Sequence, residues 1–166
     1  GSPSQYGIFN YTVSTTGPDG CTAVTATGTI TVKQKFSFVN LQFPPSGTIC
    51  TNQSFDAYGQ VYALGVTEAA GQGANITAEL GYSTTNTDPS TWGTWISVTY
   101  NGQGGISNNN DEYKGTLSSL APGTYYYAFR YKLNECEYQY GGTSGFWSAG
   151  QSGVLTVNAL PVITSS

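Results

Sequence analysis

The chain has 166 residues, enough for one ordinary domain or one domain and a fragment, and carries a net charge of −4 with five basic residues. That balance leaves no basic footprint for nucleic acid or anionic lipid, and no apolar run approaches the ~20 residues needed to span a bilayer as a helix. Only 8% of the residues are charged and methionine is absent. Polarity comes instead from Thr, Ser, Asn, Gln and Gly, which suits strands and turns better than exposed helices. The lack of an initiator Met reads as a segment of a longer secreted protein. Three cysteines, Cys21, Cys50 and Cys136, allow one disulfide and leave one thiol, in keeping with an oxidising, extracellular setting.

In chain order, "YGIFNYTVSTTGPDGCTAVTATGTITVK" predicts a hairpin. Phe9, Tyr11 and Val13 alternate with Asn10 and Thr12, "GPDG" turns, and Thr27, Thr29 and Thr31 alternate with Gly28, Ile30 and Val32. Two strands alone are marginal in water, so residues 1–34 need a partner. A second unit is expected over residues 35–158. "FSFVNLQF" ends at Pro44-Pro45, "SFDAYGQVYALGV" follows, and "ANITAELGYS" sets Ile76, Ala78, Leu80 and Tyr82 on one face. "TTNTDPST" reads as a loop, "WGTWISVTYN" as a strand, "GQGGISNNN" as a turn and "DEYKGTLSSL" as a strand. In "APGTYYYAFRYKL", Tyr125, Tyr127, Phe129, Tyr131 and Leu133 share the core face, while Tyr126, Ala128, Arg130 and Lys132 face water. Next come a long loop, "NECEYQYGGTSGFWSAGQS", and a closing strand, "GVLTV"; residues 159–166 read as a linker to a following module. Short strands at near-regular spacing without an amphipathic helix predict an all-β, antiparallel β-sandwich of seven to nine strands with an additional N-terminal hairpin.

Several motifs resemble known families. "YGIFNYTVSTTG" with "CTAVTATGTITV" resembles the last strands of Ig-like repeats in large secreted or surface-displayed bacterial proteins. Leu120-x-Pro-Gly-Thr before a Tyr-rich strand resembles the corner that leads into the penultimate strand of fibronectin-III-like and starch-binding-type sandwiches. "GQVYALGVTEAAGQGANITAELGYS", "PSTWGTWISVTYN", "NNDEYKGTL" and "PGTYYYAFRY" are together similar to an accessory domain of secreted bacterial hydrolases, nucleases and surface adhesins, over roughly residues 55–157. The resemblance implies an Ig/fibronectin-III-like fold and an extracellular or cell-surface context. It implies no reaction, because the shared residues look structural.

The chemistry of the side chains agrees. Without histidine, every triad or metal site that needs imidazole is excluded. Asp111 and Glu112 are adjacent in a strand, point to opposite faces and cannot flank one glycosidic bond. "NNNDE", Asn108 to Glu112, lacks the ligand spacing of an EF-hand loop and reads as a solvated loop. No enzyme, metal or cofactor is expected. The expected role is a non-catalytic extracellular module, a monomer whose partners are the neighbouring domains of its own chain, with no nucleic acid and no membrane insertion. The alternative is a carbohydrate-binding module of a polysaccharide-degrading enzyme. Its aromatic contacts would be Tyr138, Tyr140, Trp147 and Trp92, which fall in or beside loops and could stack on sugar faces. Finally, Cys50 and Cys136, both at strand ends of one unit, are expected to be disulfide-linked, with Cys21 free.

Overall fold

The computed structural model describes residues 5–17, 22–105 and 107–162. The chain divides into two compact units, Gly1–Gln34 and Lys35–Ser166.

The first unit is the expected hairpin. β1 (Gly7–Ser14) pairs antiparallel with β2 (Thr25–Val32), Gly7 opposite Val32 and Ser14 opposite Thr25. Phe9, Tyr11 and Val13 therefore face Ile30, Gly28 and Ala26 across the ladder. Most of these apolar side chains, including Ile8, Phe9, Tyr11, Val13 and Ile30, are exposed within the unit, as a two-stranded ribbon must leave them. The "GPDG" turn and Cys21 lie largely outside the described residues.

The second unit is two β-sheets packed face to face. One has the order β3 (Phe38–Phe43), β5 (Phe55–Tyr62), β9 (Asn110–Leu117), β8 (Thr99–Gly104). The other is built around β10 (Gly123–Leu133). On one side of β10 runs β6 (Ile76–Ser83), followed by β7 (Thr94–Ser97). On the other side β13 (Gly153–Asn158) covers its first half and β11 (Gln139–Gly142) its second; β4 (Ser46–Cys50) lies beyond β13 and β12 (Gly145–Phe146) beyond β11.

Alternation along each strand decides what lies between the sheets. Tyr125, Tyr127, Phe129, Tyr131 and Leu133 are all buried, as expected; Ala128, expected to face water, is fully buried too, on the outer face opposite Gly81. Phe55 packs edge-on to Tyr127 at 5.4 Å, and Tyr113 meets Tyr131 at 6.1 Å. A buried phenol must place its hydroxyl. Tyr127 donates to the Pro44 carbonyl at 2.6 Å, and Tyr131 to the Asn40 carbonyl at 3.0 Å. Gly59 makes the second bond possible, since a Cβ there would collide with the Tyr131 hydroxyl. Tyr125 instead donates to Ala121 O, four residues back at 3.0 Å, closing the corner made by Pro122-Gly123.

The strand layout departs from the sequence reading in four places. Among the described residues this unit has eleven strands rather than seven to nine, because short pieces form strands of their own. "WGTWISVTYN" is two strands, not one: β7 belongs to the seven-stranded sheet and β8 to the four-stranded sheet, and Val98 at the crossing packs against the core. The long loop after Leu133 contains the small β11–β12 hairpin. One pairing is parallel, β13 with β4, so the chain from β3 to β4 switches sheets at Pro44-Pro45. Two prolines lack the N–H that would continue the first ladder.

The expected Cys50–Cys136 disulfide is contradicted. Cys50 and Cys136 are not bonded to each other. Cys50 lies opposite Asn158, next to the Val157–Gly123 pair at the start of β10, whereas Cys136 follows the end of that strand. The eleven residues of β10, at ~3.3 Å each, put roughly 30 Å between them. A bridge needs Cα atoms less than about 7 Å apart. Both residues do sit at strand ends, but at opposite ends of one sheet.

Candidate functional site

The outer face of the seven-stranded sheet collects most of the aromatic residues singled out from the sequence. Asp88 starts a single 3-10 turn, Pro89–Thr91, by accepting the Ser90 N–H at 2.9 Å. The turn delivers Trp92, which is 7% exposed and donates its indole N–H to Thr87 Oγ1 at 3.3 Å. Trp95, on β7, stacks on Trp92 with centroids 6.0 Å apart and planes at 27°, and its indole N–H donates to Trp92 O at 3.0 Å. Opposite Trp95 across the ladder stands Gly81, where a Cβ would lie 2.6 Å from the indole. The missing side chain lets the ring lie flat on β6.

Arg130 completes the face. Its guanidinium carbon is 4.1 Å from the Trp95 ring centroid and 4.1 Å from that of Tyr138, so the planar cation is clasped between two rings. Its Nε donates to Glu79 Oε2 at 2.7 Å, and the two side chains are only 20% and 19% exposed. Burial by itself would raise the Glu79 carboxyl, but hydrogen bonds from Arg130 and Tyr138 and the charges of Arg130 and Lys132 outweigh it and hold it below its usual range. Lys132 also lies over Tyr138, at 5.4 Å. Tyr140 meets the other end of Trp95 at 5.9 Å, tilted by 54°.

Trp92, Tyr138 and Tyr140 are thus brought together, with Trp95 and Arg130 as the pieces that join them. Trp147 is anchored separately: its backbone N–H donates to Tyr140 O at 2.7 Å and its indole to the buried Ser152 Oγ at 3.0 Å. The expectation that Arg130 simply faces water is corrected. It lies on the outer face, yet distant segments close over it. What the sequence offered was the lone arginine; of the two rings that clasp it, Trp95 comes from the short strand β7 and Tyr138 from the loop before β11, and no periodicity places either over it.

The rings are not a flat, open platform. Trp92 is buried, the ring planes are inclined to one another, and Trp95 contacts Gly81, Trp92, Arg130 and Tyr140. Beside Trp92 lies an open cleft of about 390 Å³ lined by hydroxyls, among them those of Thr85, Thr87 and Thr91. A larger cleft, about 450 Å³, lies at the other sheet, between Phe38, Gln60, Tyr62 and Asn110. There the amides satisfy one another: Asn110 donates to Gln60 Oε1, Gln60 donates to Glu112, and Asn101 donates to Glu112 at 2.6 Å.

The acidic pair is split as strand alternation requires. Asp111 is fully buried, whereas Glu112 belongs to the outer amide ladder. Among the described residues no three of His, Cys, Asp and Glu come together as metal ligands.

No family model matches the chain, and no curated protein does. Among solved structures, the crystal structure of domains 4 and 5 of the S-layer protein SbsC is similar at a TM-score of 0.37 and 14% identity, over 92% of this chain and 70% of that one. At this level of likeness nothing about role transfers.

Proposed function

We propose that the chain is a non-catalytic module of a large secreted or cell-surface bacterial protein, where it spaces or displays neighbouring domains. The observation that supports this most is the closed cluster on the outer face. Aromatic rings that serve a ligand leave a face free, whereas Trp95 and Tyr138 each turn a face to the Arg130 guanidinium and Trp95 also stacks on Trp92. Such a brace stiffens the sheet without offering it to solvent. An Ig/fibronectin-III-like assignment is part of the same proposal. It is supported by the strand order, by the first strand shared between two sheets and by the Tyr125 hydroxyl that closes the corner before β10. The hairpin of residues 1–34, in this reading, is the end of a preceding Ig-like repeat.

The carbohydrate-binding reading stands second, favoured by the half-buried Tyr138, Tyr140 and Trp147 and by the hydroxyl-lined cleft beside Trp92. Retention of the chain on a panel of insoluble polysaccharides separates the two. The spacer role predicts no retention and no shift of the melting temperature by soluble fragments. Weak retention at about 10 μM to 1 mM, lost in Trp147→Ala while the fold survives, would move the assignment to the second reading.

A further inference from the structure

The loop between β5 and β6 turns three alternate carbonyls toward one point at the edge of the four-stranded sheet. Gln103 Nε2 sits at that point, 3.2 Å from Thr67 O, 2.8 Å from Ala69 O and 3.4 Å from Gly71 O, with Asp111 Oδ1 at 3.5 Å. An amide nitrogen carries two hydrogens and cannot satisfy four oxygens. Asp111 is 0% exposed, and its other oxygen is held by the Gly73 N–H at 2.7 Å, so Oδ1 is aimed at the ring. Among the described residues no lysine or arginine pairs with this carboxylate. Beside it the buried Tyr113 hydroxyl stands near Asp111 and Gln72 but makes no hydrogen bond of good geometry to either.

We propose that this ring is a binding site for a hard metal cation of calcium's size and charge, held by Thr67 O, Ala69 O, Gly71 O and Asp111, with Gln103 turned so that Oε1 replaces Nε2. Which end of a glutamine amide is oxygen is settled only by its neighbours: the four oxygens select Nε2 while no ion is present, and an ion seated among them, beside the amide, selects Oε1. Calcium accepts carboxylate, amide and backbone carbonyl oxygens in flexible numbers at about 2.3–2.6 Å, with water filling the remaining positions. A water on the ion would give the Tyr113 hydroxyl a partner. The loop carbonyls would draw in by several tenths of an ångström or more, which an exposed segment with Gly71 at φ +94° permits. A cation would also offset the cost of burying the Asp111 charge away from water. Thr67 fixes the loop from below, its hydroxyl accepting the Ala63 N–H at 3.2 Å. The run Asn108–Glu112 thus contributes one ligand to a site completed by a distant loop.

The test is thermal unfolding of the full chain in chelator and with calcium chloride, with sodium and magnesium chloride at matched ionic strength. Extracellular calcium modules bind at about 0.1–1 mM, so about 10 mM calcium should raise the melting midpoint by roughly 3–10 °C. Asp111→Asn, which keeps an acceptor for Gly73, should fold and lose that rise. Gln103→Glu places a second carboxylate against the same carbonyls; it should melt below the parent in chelator and recover with calcium. Failure of calcium to shift the parent, an equal shift by sodium or magnesium, a shift that persists in Asp111→Asn, or failure to rescue Gln103→Glu would each overturn the proposal.

Discussion

The two faces of β10 are both aromatic, yet they are built by different rules. On the inner face five residues from one strand, Tyr125 to Leu133 at every second position, are buried, and three of their hydroxyls reach backbone carbonyls. On the outer face the strand supplies Arg130, and Trp92, Trp95, Tyr138 and Tyr140 arrive from separate segments to cover it. The inner face is held by burial and would fail by leaving a cavity. The outer face is held by one cation and its rings, and would fail by releasing them to water. The same residue types can therefore be a core on one side of a strand and a brace on the other.

Substitutions on the two faces should separate these modes. The largest effect is expected at Phe129, fully buried and stacked on Tyr131 at 5.8 Å. Phe129→Ala should cost about 3–5 kcal/mol, read by denaturant unfolding, and unfold a domain of ordinary stability. All three tryptophans lie in the second unit, so intrinsic fluorescence reports that unit alone.

Arg130→Ala should cost about 1–3 kcal/mol, because it empties the slot between two rings and leaves Glu79 half-buried without its partner. Arg130→Lys should recover only part, since an ammonium keeps the charge but not the planar stack. A loss of a few tenths for Arg130→Ala would mean that the rings stand without it.

Gly81→Ala tests the same face from beneath. The added methyl meets Trp95, so the indole must lift, at about 1–2 kcal/mol, and the tryptophan emission should shift to the red. An unshifted spectrum would show that Trp95 does not rest on β6.

Acid should give the smallest effect. The carboxyl of Glu79 is held below its ordinary value of 4.5, so the unfolded state takes up its proton first as the pH falls. Its contribution to stability is complete above 4.5 and is lost as the pH drops through the lowered value. The difference in stability between the parent and Glu79→Gln should accordingly be constant near neutrality and shrink below pH 4.5; growth of that difference in acid would contradict the pairing.

The inner face was legible in the sequence because burial imposes a period of two, and Tyr125 to Leu133 keep it without a break. So were the N-terminal hairpin and the opposite facing of Asp111 and Glu112. Three things were not. β4, β11 and β12 are short or rich in glycine, and their strand state depends on a neighbour supplied from far away in the chain. The distance between Cys50 and Cys136 depends on register along β10, which loop positions do not reveal. The clasp around Arg130 depends on where β7 and the loop before β11 fall against β10, and the oxygens gathered on Gln103 are mostly backbone carbonyls, which no residue pattern displays. Side-chain identity spoke for the core and stayed silent about the loops.

The central claim is that the outer aromatics act on one another. The most direct test is a double-mutant cycle, Trp95→Ala with Arg130→Ala, followed by denaturant unfolding of the four proteins. A brace predicts that the two substitutions are coupled by about 0.5–2 kcal/mol, the double variant losing less than the sum of the singles. Losses that add within about 0.3 kcal/mol would contradict it and leave Trp95 free to serve a ligand.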